Sequence, residues 1–278
     1  MDDPATCADS ARHLQVTGVT LRVFAAPDDI GEDVAARLLD RIARAHTEGR
    51  RFLLGSPTGR SPKPVFAAMA RQLAARPREL SHVVFVMMDE YLVDAGGRLA
   101  YAPDDAPWSC HHFVRAEIAG QLNASLAKEQ RLRAESFWFP DPGDPGGYDA
   151  RIADAGGIDF FVLASGASDG HVAFNPPGSA RDSETRIVEL SEETRRDNLK
   201  TFPAFRTLDT VPRHGVSVGV ATITRSREAA MIAWGAGKRL TVSRMRAARG
   251  YEPDWPATLI HDCAGAEILC DEAAAQPA

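Results

Sequence analysis

The chain has 278 residues, 44% of them hydrophobic and 25% charged, enough for one large α/β domain or two small ones. A net charge of -6 argues against a general nucleic-acid binder, which needs a basic face, but leaves room for a small anion held by a few local donors. No apolar run approaches the ~20 residues of a membrane span, the N-terminus MDDPATCADSARHL lacks the order of a signal peptide, and Cys7, Cys110, Cys263 and Cys270 show no metal spacing. The chain therefore reads as a cytoplasmic protein with reduced thiols.

Residues 1–18 are expected to be a mobile extension, and residues 19–278 a single domain. Val19 to Phe24 alternates as a first strand, and Pro27-Asp28-Asp29 starts a helix with Ile30, Val34, Leu38 and Ile42 on one face. A second strand beginning at Arg51 runs into Gly55-Ser56-Pro57-Thr58-Gly59-Arg60-Ser61-Pro62 and a further helix carrying Val65, Met69 and Leu73. Strand, small-residue loop and helix N-terminus is an arrangement that binds phosphate, because free N–H groups and the helix dipole both favour an anion. The loop lacks the spacing of a Walker A motif, and it also reads as a plain βα turn.

Val83 to Met88 is a buried-type strand ending in Asp89-Glu90-Tyr91; two carboxylates there are costly unless used or paired. Val93 to Pro107 reads as a loop and Ser109 to Ile118 as a helix. His111 and His112 point to different sides of that helix and find no third ligand at metal spacing. Ile158 to Leu163 is another buried strand. It breaks into Ala164-Ser165-Gly166-Ala167-Ser168, followed by Asp169 and His171, an acid and an imidazole placed for proton transfer at a strand's carboxyl end. The same Asp-Gly pair also suits a tight turn. Thr185 to Leu190, Val216 to Ile223 and Ala229 to Trp234 read as later strands. Ser191 opens a helix with Arg195, Arg196 and Lys200, and Gly235-Ala236-Gly237-Lys238 is a second anion-binding candidate. Alternating strands and helices predict a parallel sheet.

The order of five segments is more specific than any one of them. LGSPTGRSP (54–62), MDEYL (88–92), SDGHVAFNPPGS (168–179), TRIVELSEETRRDN (185–198) and VPRHGVSVGVATI (211–223) running on to WGAGK (234–238) resemble glucosamine-6-phosphate deaminases, in the superfamily that also holds 6-phosphogluconolactonases. The resemblance spans about residues 21–271. It implies a Rossmann-like, doubly wound, mainly parallel sheet with helices on both faces, and a sugar-phosphate substrate. Ring opening, proton transfer from C2 to C1 and loss of ammonia are the chemistry it implies, with no cofactor and no metal. It makes Asp89 the base, His171 the ring-opening proton shuttle and Asp169 its support. Ser56, Thr58, Gly59, Arg60, Ser61, Glu90, Gly166, Lys200 and Lys238 would bind the substrate. Lys200 stands where the family usually carries arginine, which keeps the charge but gives up bidentate geometry. Family members are often oligomeric, so the resemblance leaves a homo-oligomer open.

Departures from the family pattern keep two alternatives in view. Asn175-Pro176-Pro177 stands where Asn-Glu-Pro is usual, so the Asp–His–Glu constellation lacks its Glu at Pro176, as it does in lactonases. Tyr91 favours the deaminase, because lactonases usually carry Arg there. A non-catalytic sugar-phosphate sensor is the other alternative, against which stand the retained Asp89, Asp169 and His171 and the lack of a helix-turn-helix region.

Overall fold

The computed structural model describes residues 11–16 and 18–278. Cys7 and the first ten residues of the expected extension lie outside the described residues. Its later part includes strand β1 (Arg12–Val16), paired antiparallel with β2 (Val19–Phe24), so regular structure begins before residue 19.

Strands and helices then alternate through α1 (Pro27–Thr47), β3 (Phe52–Ser56), α2 (Lys63–Ala75) and β4 (Val83–Met87). A hairpin of β5 (Asp89–Asp94) and β6 (Leu99–Tyr101) follows. Next comes one helical stretch, made of α3 (Cys110–Phe113), a π-helical turn (Val114–Ala119) and α4 (Gly120–Asn123). Then come β7 (Phe137–Trp138), α5 (Pro145–Asp154) and β8 (Phe160–Ala164). The last part holds β9 (Arg186–Glu189), α6 (Glu192–Thr201), β10 (His214–Ser217), α7 (Val220–Thr224), β11 (Ala229–Ala233), α8 (Arg239–Ala247), β12 (Ala266–Asp271) and α9 (Glu272–Ala275).

Eight strands form the main sheet in the order β1-β2-β12-β11-β8-β3-β4-β7, and every pair except β1–β2 is parallel. Its central strands are apolar at successive positions because both faces are covered. Phe52, Leu54, Phe85, Phe160 and Val162 join α1 and α2 in one core. Their strand neighbours Leu53, Val84, Val86, Phe161 and Leu163 join Tyr148, Ile152, Val242 and Met245 in another. Each fully buried Leu, Val or Phe contributes about 1.5–3 kcal/mol, so these two faces supply most of the stabilisation. This is the doubly wound fold that the alternation predicts.

A second, antiparallel sheet, β6-β5-β10-β9, departs from the expected elements. The stretch read as a loop from Val93 is the β5–β6 turn and β6 itself. Gly96 and Gly97 both have positive φ (74° and 87°) and make a tight hairpin turn. The stretch read as one strand from Val216 to Ile223 instead breaks after Ser217 and continues as α7. There Gly219 lies against the Ser183 carbonyl where no side chain fits, and Ser183 accepts the N–H groups of Val220 and Ala221 through its hydroxyl and carbonyl.

Strand β3 has β4 on one side and β8 on the other. Open α/β sheets bind ligands at such a point, in the crevice beyond the strands' carboxyl ends. The loops after β3, β4, β8 and β11 all emerge there.

Candidate active site

Those loops and one face of α6 enclose a cavity of about 470 Å³. Thr58, Gly59, Arg60 and Ser61 line it from the loop after β3, and Asp89 from the start of β5. Gly166 and His171 line it from the loop after β8, Lys200 from α6 and Lys238 from the loop after β11. A cavity of about 520 Å³ beside β5 and β6 contains none of these groups.

Three residues singled out in the sequence do not line the cavity. Ser56 is buried and donates its hydroxyl to the Pro57 carbonyl, so it shapes the loop from behind. Glu90 turns to the opposite side of β5 from Asp89, as alternation along a strand requires. Its carboxylate accepts the backbone N–H groups of Cys110 (3.1 Å) and His111 (2.9 Å), the Ser109 hydroxyl (3.0 Å) and lies 2.6 Å from His111 Nδ1. It anchors the start of α3 rather than facing a ligand. Asp169 sits behind His171.

The Asp169–His171 unit is tightly built. Asp169 Oδ1 lies 2.6 Å from His171 Nδ1, and Oδ2 accepts the hydroxyls of Ser191 (2.8 Å) and Thr194 (3.0 Å). Burial alone would raise this carboxyl, but the hydrogen bonds and charge of His171 and the Ser191 hydroxyl hold it well below the usual carboxylate range. Thr194 Oγ1 also lies 2.9 Å from Nδ1. With Nδ1 engaged, Nε2 is left for the cavity that the ring lines. The close turn needs Gly166, since a Cβ there would collide with the His171 ring and the Asp169 carboxylate. Two residues beyond His171, Ala173 has left-handed backbone (φ 52°), a conformation that costs about 1 kcal/mol for alanine. Thus the loop that carries the histidine is held in shape by its surroundings.

Asp89 is 7% exposed, and burial raises its carboxyl from 3.8 to about 7. A hydrogen bond from Cys110 Sγ opposes the rise, the neighbouring Glu90 adds to it, and His171 opposes it. A carboxyl near neutrality can both take and return a proton at physiological pH.

The cations differ in their setting. Lys238 donates to the Ser165 carbonyl, and burial lowers its ammonium from 10.5 to about 8. Lys200 is 76% exposed and lies 3.5 Å from Asp197 Oδ1; Asp197 in turn accepts the Ser168 hydroxyl at 2.8 Å. The Trp234 indole N–H donates to the Ser61 carbonyl (3.1 Å) and ties the loop after β11 to the loop after β3.

Sequence reasoning missed Asp197, Asn198, Thr201, Phe174 and Trp234 in the lining, and Thr194 and Cys110 behind it. Asp197 stands three residues before Lys200 and four before Thr201, helical spacings that are available in the sequence once Lys200 is suspected. Nothing local marks Cys110. Among the described residues, no group of three His, Cys, Asp or Glu side chains is arranged to hold a metal ion, and no helix is long and apolar enough to cross a membrane.

Residues 25–269 match the family described as glucosamine-6-phosphate isomerases/6-phosphogluconolactonase. The chain belongs to this family. A glucosamine-6-phosphate deaminase of Rhodopirellula baltica is 32% identical over 245 residues, covering 88% of this chain and 91% of the relative. A glucosamine-6-phosphate isomerase of Candida albicans is 31% identical over 254 residues, covering 91% and 96%. In three dimensions, a monomeric glucosamine-6-phosphate deaminase superposes with a TM-score of 0.76 at 23% identity, covering 92% of this chain and 98% of that one. The 6-phosphogluconolactonase of Trypanosoma cruzi gives a TM-score of 0.65 at 16% identity, covering 95% and 98%. Both enzymes of the family's description therefore share this fold, and activity has to be argued from the site.

Proposed function

We propose that the protein is a glucosamine-6-phosphate deaminase, an enzyme converting glucosamine 6-phosphate and water to fructose 6-phosphate and ammonia by acid–base catalysis. The observation that carries this reading is the pairing, in one cavity, of a buried carboxyl near neutrality (Asp89) with a carboxylate-supported imidazole (His171) beside a phosphate-type loop. Curated deaminase and isomerase relatives at about one-third identity support it.

The 6-phosphate docks on the backbone N–H groups of residues 58–61 at the head of α2, where the helix dipole favours an anion, and Lys238 supplies charge. Lys200 and Arg60 stand at the rim. His171, through Nε2, moves the proton that opens the pyranose ring; Asp169 fixes its tautomer and orientation, as a carboxylate does for a catalytic imidazole. Asp89 removes the proton from C2 of the open chain and returns it to C1. The resulting C2 imine takes up water and releases ammonia. Where the family pattern has a Glu beside the histidine, this chain has Pro176, and the hydroxyls of Ser191 and Thr194 are what completes the setting of Asp169 and His171.

The test is release of ammonia and fructose 6-phosphate from glucosamine 6-phosphate, with Asp89→Asn as control. Turnover that disappears in the control is expected. Hydrolysis of 6-phosphogluconolactone with no amino-sugar turnover would instead make this a lactonase. Binding of both sugar phosphates with turnover of neither would make it a sensor.

A further inference from the structure

Cys110 opens α3, and its thiol is buried at 1% exposure between two residues that line the cavity. Sγ donates to Asp89 Oδ1 at 3.5 Å and lies 3.4 Å from Thr58 Oγ1. Among the described residues, the thiol is the hydrogen-bonding partner found for the Asp89 carboxyl. Its place is set by the neighbouring acid, because Glu90 accepts the Cys110 backbone N–H at 3.1 Å. Two consecutive carboxylates of β5 therefore grip one residue, Glu90 by its backbone and Asp89 by its side chain.

We infer that Cys110 is a positioning residue for the base: its S–H occupies Asp89 Oδ1, fixes the carboxyl rotamer and leaves the other oxygen to the substrate, while Thr58 joins this pair to the phosphate loop. The inference rests on the reading of Asp89 as the base. A thiol suits the task because it is a weak donor. It orients the carboxylate and favours its ionised form without quenching its basicity, as stronger donors would.

The readout is the acid limb of the pH profile of kcat/KM for glucosamine 6-phosphate. The titratable groups that act electrostatically on Asp89 are Glu90 and Tyr91 on its own strand, His171 from the loop after β8, Cys110 from α3 and Tyr148 from α5. All but Cys110 are common to wild type and variants, so the difference reports the thiol. Cys110→Ala is expected to raise the acid limb by roughly half to one pH unit, since a lost hydrogen bond to the charged form disfavours it. It should lower kcat several-fold while leaving the affinity for inorganic phosphate unchanged. Cys110→Ser, which keeps a donor with shorter reach, should bring the limb back toward wild type. Should Cys110→Ala not fold, Cys110→Val fills the volume without a donor and reads the same limb. An unmoved limb in the donorless variant, or equal losses in the alanine and serine variants, would overturn the positioning role. Asp89→Asn separates the two readings. If that variant is inactive while the limb of Cys110→Ala stays in place, only the positioning role fails; if it keeps turnover, the base assignment fails and takes the positioning role with it.

Discussion

Replacing the proposed base by its neutral isostere should stabilise the protein as well as silence it. Asp89 is almost wholly buried, and its carboxyl is pushed from 3.8 to about 7, chiefly by burial. A rise of that size corresponds to up to about 4 kcal/mol of destabilisation once the group is ionised in the fold. The sign follows from linkage. Below the unfolded value near 4 the group is protonated in both states and costs nothing. Between about pH 4 and pH 7 the unfolded chain gives up its proton first, so stability falls as pH rises; above about pH 7 the loss is complete. Asp89→Asn keeps an oxygen to accept from Cys110 and removes the charge. It should therefore match wild type near pH 4 and exceed it by about 2–4 kcal/mol at pH 8, each kcal/mol being worth roughly 2–4 °C in a domain of this size. The assay is chemical or thermal unfolding of both proteins across pH, with turnover measured in parallel. A difference that stays flat with pH, or one that favours wild type at pH 8, would refute the claim that the fold bears a cost to keep this carboxyl ready. The expected combination, lost turnover with gained stability, is the trade-off of an active-site group held in an environment that disfavours its charge.

Other outcomes follow from the same geometry. Affinity for inorganic phosphate should fall as pH rises through about 8, where the half-buried Lys238 ammonium loses its proton, and titration calorimetry from pH 7 to pH 9 reads this directly. Lys238→Ala should raise KM more than Lys200→Ala does, because Lys200 is 76% exposed and already beside Asp197; equal effects would put the phosphate nearer α6. Gly166→Ala should cost at least tenfold in kcat, since its methyl group meets the His171 ring and the Asp169 carboxylate, and displacing a catalytic group by about 1 Å can cost 10²-fold. His171→Gln should impair the closed-ring substrate more than an open-chain analogue, and equal loss for both would remove the ring-opening role.

Much of the architecture was readable from local chemistry. Apolar runs such as Val83–Met87 and Ile158–Leu163 recur between helical stripes, and both faces of a parallel sheet must be covered; the pattern therefore points to a doubly wound sheet. Glycine, serine and threonine after β3, the Asp-Gly-His turn after β8 and the glycines before Lys238 mark loops that can approach an anion, and the cavity gathers all three. The second sheet was hidden because β6 and β10 are short and β10 finds its partner β5 far away in sequence.

What adjacent residues do was decided only by tertiary packing. Asp89 and Glu90 are neighbours of the same charge, yet strand alternation sends one to the cavity and the other to the head of α3. Ser56 carries the same hydroxyl chemistry as Ser61 but faces inward. Cys110 reaches Asp89 across 21 residues, and Thr194 reaches Asp169 across 25, through the docking of α3 and α6. Sequence spacing records the chain's local periodicities and turn chemistry, so it determined the sheet, the helices and the loops that bear the acids and cations. Which face each side chain takes, which partner it meets and how far burial moves its proton affinity depend on contacts between segments remote in the chain, and those exist only once the fold has closed.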